Sequence, residues 1–90
     1  MKPVARVGDK IICGNPKHAP STIVSGGQSL ADGRPVARIG DSCGCGAVIV
    51  EGSSQSDDNG MGIAYLGAAV QCGPYRGQIV SASPTAKVKP

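Results

Sequence analysis

Hydrophobic positions in this chain come in short β-branched runs, each bounded by Gly, Ser or Pro. Three such runs are Ser21-Thr22-Ile23-Val24-Ser25-Gly26, Ala47-Val48-Ile49-Val50-Glu51-Gly52 and Gly77-Gln78-Ile79-Val80-Ser81-Ala82. Runs of this length and composition predict strands. No stretch carries the apolar spacing of an amphipathic helix, and 14 Gly with 7 Pro work against one. The pairs Asp32-Gly33 and Asn59-Gly60 predict two-residue hairpin turns. Such turns need positive φ at their central positions, which Asp, Asn and Gly tolerate. The predicted fold is therefore all-β, built from short hairpins.

A repeat organises these elements. Pro3-Val4-Ala5-Arg6-Val7-Gly8-Asp9 returns as Pro35-Val36-Ala37-Arg38-Ile39-Gly40-Asp41, and a cysteine, Cys13 or Cys45, follows each Asp at the same distance. A weaker third copy, Gly60 to Gly67, aligns with Gly33 to Gly40. It runs without a gap to Cys72-Gly73, in register with Cys45-Gly46. The units span about 1–32, 33–59 and 60–90 of a single domain. The tail Ser83 to Pro90 falls where Gln28 to Asp32 stands in the first unit, as the strand before a hairpin turn. The next unit in order would be the first. The expectation is a closed pseudo-threefold ring cut at its third turn. Arg6 with Asp9 and Arg38 with Asp41 are kept together, and both are lost together as Tyr65 and Ala68. Joint loss predicts that each pair bonds side chain to side chain.

Composition adds a constraint. A chain of 90 residues with no Phe and no Trp, whose apolar residues are mostly Ala, Val and Ile, builds a thin core. Domains of this kind are usually stapled by disulfides, a metal or a partner. The net charge of +3 comes without a basic run or an aromatic platform, so nucleic acid is not an expected partner. The first residues lack the apolar stretch of a signal peptide, and no segment approaches membrane-spanning length. The expectation is synthesis in a cytoplasm, where cysteines read more naturally as metal ligands than as disulfides. Export would then need a machine that does not use signal peptides.

A pseudo-threefold axis would bring Cys13, Cys45 and Cys72 together as three corners of a tetrahedron. His18 or Cys43 can supply the fourth. His18 is preferred because it stands alone beside the Cys13 loop. Cys43 falls in register with Ile11 and Val70, which reads as a small buried side chain. A closed Cys/His set of this kind suits a structural zinc. A Cys13–His18 nucleophile pair has neither an orienting acid nor pocket-building aromatics beside it, so no catalysis is expected. Asp57-Asp58-Asn59-Gly60 lacks the later ligands of a calcium loop and reads as a solvated hairpin turn. Competing readings are a stand-alone zinc-binding or thiol redox module and a small periplasmic disulfide protein.

The paired P-V-A-R-[VI]-G-D segments, each followed by a cysteine, and the terminal Ser83-Pro84-Thr85 resemble the PAAR-repeat family. The resemblance runs through all three units. It implies a small β-cone that caps the trimeric spike of a type VI secretion system or a contractile phage tail, with zinc near its tip. By matching positions, the ligands would be Cys13, His18, Cys45 and Cys72. The implied partner is a trimeric VgrG-type or phage baseplate spike protein, with effector cargo carried by a partner and transient contact with a target membrane. The protein would leave the cell with the spike. This chain departs from the family in having Val after the Pro, where Ala is usual, and Cys at most positions where the family uses His.

Overall fold

The computed structural model describes residues 1–89. Pro90, the end of the predicted tail strand, lies outside the described residues. Among these there is no helix, and the secondary structure is eleven short strands. They are β1 (Lys2–Pro3), β2 (Lys10–Ile12), β3 (Ser21–Thr22), β4 (Leu30–Ala31), β5 (Arg34–Pro35), β6 (Val48–Ile49), β7 (Asp57–Asp58), β8 (Met61–Gly62), β9 (Ala69–Cys72), β10 (Tyr75–Ile79) and β11 (Lys87–Val88).

The two predicted hairpin turns are present with matching geometry. Asp32 and Asn59 both have φ of 55°, followed by Gly33 at 79° and Gly60 at 82°. They close the antiparallel pairs β4–β5 and β7–β8. A third pair has no turn of its own, because its strands lie near opposite ends of the chain. Lys2 faces Val88 and Pro3 faces Lys87, in the register by which Arg34 faces Ala31 and Pro35 faces Leu30. The tail is thus a strand that completes a third hairpin.

The remaining strands form one antiparallel sheet in the order β3-β2-β10-β9-β6, curled into a half-barrel. Isolated bridges from Ile23 to Cys43 and from Ser42 to Val48 carry the pairing across the open side. The second strand of each unit is shorter than the sequence run suggests in units one and two. Val24, Val50 and Val80 donate to the carbonyls of Ser42, Ala69 and Lys10, each in the next unit, at 2.9, 3.0 and 2.9 Å. Each run therefore pairs with its own unit on one side and with the next unit on the other.

Backbone hydrogen bonds define the threefold relation. Ala5 donates to Ala64, Ala37 to Ala5 and Ala64 to Ala37, at 3.0, 2.9 and 2.8 Å. This is a closed ring of three bonds. A second ring runs from Val7 to Pro35, Ile39 to Gly62 and Leu66 to Pro3, all at 2.9 Å. The third unit takes part fully, although it has lost the Pro and the Arg–Asp pair. The three ring alanines have no exposed surface. Close-packed side chains meeting at an axis leave no room for larger ones. Ile11 faces Ile79, Cys43 faces Ile23 and Val70 faces Ile49 across neighbouring strands, and all six are buried. The molecular extents of 32 × 22 × 21 Å, with two nearly equal short axes, suit a threefold body.

Both predicted Arg–Asp pairs are formed. Arg6 Nε and Nη2 bond the two Asp9 carboxylate oxygens at 2.9 and 3.0 Å. Arg38 Nε reaches Asp41 at 3.3 Å. The carboxylates also accept the backbone N–H of Arg6 and Arg38. The third unit solves the same problem differently, which the sequence reading missed. In units one and two, the amides of Lys10 and Ser42 donate to the hydroxyls of Ser81 and Ser25. Those hydroxyls donate in turn to Asp9 and Asp41. In unit three, Glu51 holds the corresponding place. Its carboxylate accepts the Ala69 N–H and the Tyr65 hydroxyl, both at 2.9 Å. One carboxylate delivered from the neighbouring unit stands in for the lost serine and aspartate.

The expectation of a solvated turn at Asp57 to Gly60 holds for Asp57, whose carboxylate accepts the Gly60 N–H within the turn. It fails for Asp58, which is buried. The Asp58 carboxylate accepts the N–H groups of Gln28 and Ser29 at 2.7 and 3.1 Å. Ser53 and Ser83 serve the equivalent amides through their own hydroxyls. The first unit has Gly27 there, and a side chain at Gly27 would collide with the Asp58 carboxylate.

Candidate metal centre

Each unit turns at its cysteine, and each turn has a local cause. Cys13 follows β2 and leads into Gly14-Asn15-Pro16-Lys17-His18. Gly14 has φ of 82°, and a Cβ there would strike the Arg76 carbonyl, so only glycine lets the two loops approach. Asn15 then starts a turn with Pro16 at its second position: its carbonyl accepts the His18 N–H at 3.0 Å, and its side-chain oxygen accepts the Lys17 N–H. That turn swings the imidazole back over Cys13. Cys45 sits in a turn closed by the Gly46 N–H on the Cys43 carbonyl at 2.9 Å. Cys72 faces Tyr75 across the two-residue Gly73-Pro74 turn. Gly73 has the positive φ, 59°, that the first position of a type II′ turn requires.

The ligand atoms of Cys13, His18, Cys45 and Cys72 all lie within 4.8 Å of one another. His18 Nδ1 is 3.4 Å from Cys13 Sγ and 3.7 Å from Cys72 Sγ. For tetrahedral zinc, metal–sulfur bonds of about 2.3 Å and metal–nitrogen bonds of about 2.0 Å place sulfur and nitrogen about 3.6 Å apart. The spacings of His18 to Cys13 and Cys72 therefore match a four-coordinate site. Cys13 is buried, Cys45 and Cys72 are partly buried, and His18 is exposed on the outside of the cluster.

Cys43 does not join the cluster. It is buried in the core, paired with Ile23. Burial first, then the neighbouring acidic groups, push its thiol up to about 11. Burial also raises Cys72, followed by the charges of Cys13 and Cys45. Three thiolates crowded together repel one another, and a bound dication converts that repulsion into attraction. The donor set of three sulfurs and one imidazole fits a borderline-soft ion with no demanding geometry.

Residues 1–51 match the model of the PAAR motif. The chain belongs to the PAAR motif family. No curated protein matches the chain. The PAAR match contains Cys13, His18 and Cys45 and stops before Cys72. The third unit thus enters the site through the threefold hydrogen bonding rather than through the matched motif. The PAAR segments themselves hold no cluster ligand. They supply Ala5 and Ala37 of the alanine ring and the two Arg–Asp pairs.

Proposed function

We propose that this chain is the tip of a trimeric spike, a non-enzymatic cap with one structural zinc held by Cys13, His18, Cys45 and Cys72. The observation that carries the reading is the closed hydrogen-bond ring of Ala5, Ala37 and Ala64 in a chain whose four donors meet in one cluster. A threefold body can seat on a true threefold trimer so that all three partner chains meet equivalent backbone. The three short hairpins β4–β5, β7–β8 and β1–β11 stand outside the five-stranded sheet. Their backbone edges suit continuation by a partner's strands. The partner is a VgrG-type or phage baseplate spike protein. Zinc ties the three units together where the side chains are too small to form a thick core, so its binding energy becomes folding energy. The chain is made in a bacterial cytoplasm and leaves on the spike, with any effector cargo bound to a partner and with transient membrane contact at the target.

Two measurements on the purified chain test this. Elemental analysis should find about one zinc per chain, and chelation should lower the melting temperature sharply. Mixing with a trimeric VgrG-type or phage baseplate spike protein should give a complex of one chain per trimer by light scattering. Free movement of the two proteins as separate species would overturn the capping role. Four freely titrating thiols in the native, metal-free chain would overturn the zinc.

A further inference from the structure

The cluster is rich in sulfur, and thiolates, unlike imidazole, are oxidisable ligands. Its three sulfurs come from three different units and lie within 4.8 Å of one another. Cys72 shares the cluster with Cys13 and Cys45, and its sulfur is 3.7 Å from His18 Nδ1. Cys45 and Cys72 are open enough for a small oxidant to reach, whereas Cys13 and Cys43 are buried.

We propose that the cluster is an oxidation site, at which peroxide joins Cys72 to a neighbouring cysteine ligand as a disulfide and expels the metal. The proposal rests on the zinc reading above. The Cys72 thiolate attacks one peroxide oxygen. The O–O bond breaks, hydroxide leaves, and Cys72 becomes a sulfenic acid. The thiolate of Cys13 or Cys45 then attacks that sulfur, and a second hydroxide leaves as the S–S bond forms. Two thiolates have lost two electrons, peroxide has gained them, and zinc passes to water as the dication. One thiol and His18 remain, too few donors for a tetrahedral site. The disulfide ties two units and frees the third, so the tip changes from a three-way to a two-way cross-link. A dithiol reductant reverses the change by exchange. A tip of this kind stays closed in a reducing compartment and opens in an oxidising one.

The zinc-loaded full-length chain, freed of excess metal, is treated with hydrogen peroxide beside a chromogenic zinc chelator and followed by intact mass. The expected result is release of about one zinc per chain with loss of about 2 Da. Peptide mapping should join Cys72 to Cys13 or Cys45, and reductant with fresh zinc should restore binding. Cys43→Ala should behave like the parent. Cys72→His keeps four donors and should release zinc at least about tenfold more slowly. The peptide map of the parent decides the matter even where Cys72→His does not fold. Zinc held while methionine or Cys43 is oxidised overturns this proposal alone, as does zinc released without a disulfide at Cys72. A chain that holds no zinc before oxidant is added overturns the zinc reading with it.

Discussion

The Arg6–Asp9 pair is nearly sealed, with side-chain exposures of 8 % and 4 %. Removing one partner of a buried pair leaves the other charge desolvated and unpaired, at about 3–5 kcal/mol. Asp32, 3.0 Å from Arg6, softens that loss, so Asp9→Ala should cost about 3 kcal/mol in urea unfolding. A loss under about 1 kcal/mol would mean that Asp32 alone satisfies the guanidinium. Three carboxylates also make stability depend on acid. Burial pushes Asp9 up, but hydrogen bonds from Arg6 and its charge outweigh this and hold it low. Hydrogen bonds from Ser83 and Thr85, then the Arg6 charge, lower Asp32. The Ala69 N–H and the Tyr65 hydroxyl lower Glu51. Folded values below the unfolded ones give stability that is fully present above the unfolded values of 3.8 and 4.5 and is lost as pH falls through the folded ones. Thermal melts should therefore show these contributions level above about pH 5 and falling below about pH 4. Glu51→Gln should lose the part of that acid slope due to Glu51.

At the scale of the element, two glycines separate local from tertiary demands. Gly33 has φ of 79° with open space around the position of a Cβ. Gly33→Ala should cost only the left-handed backbone penalty, about 1–2 kcal/mol. Gly77, in β10, shows no positive φ, yet a Cβ there would lie 1.6 Å from the Ile12 carbonyl oxygen. Gly77→Ala should cost several times as much or abolish folding, because β10 and β2 would have to separate beside Cys13. Chemical denaturation of the two variants checks the order, and equal losses would remove the claim. Gly33 was legible because a turn dipeptide declares its own torsions. Gly77 reads as any weak strand residue, since its constraint comes from a strand that is distant in sequence.

For the whole molecule, the pairing of β1 with β11 predicts tolerance to circular permutation. Joining the two ends of this chain through an Asn-Gly turn and opening it between Asp32 and Gly33 keeps all three hairpin pairings. Such a permutant should melt within a few degrees of the parent and bind zinc as the parent does. Opening between Cys43 and Ala47 cuts the turn that carries Cys45 and should lose both. Similar behaviour of the two permutants would count against a closed ring.

The sequence by itself determined the β class, the three-unit plan, the turns at Asp32-Gly33 and Asn59-Gly60, and the two Arg–Asp pairs. These are local or repeated signals, and a repeat reports symmetry without coordinates. It also marked the cysteines, because their register survives where the third copy has lost its Pro, Arg and Asp. Only the tertiary structure decided which polar groups meet across units. Glu51 replaces a serine and an aspartate for its neighbour, and Asp58 fills the space above Gly27. It also decided that His18, and not Cys43, faces the three thiols. Each of these depends on where separate units touch. Nothing within one unit's sequence encodes that, because the compensating residue belongs to another.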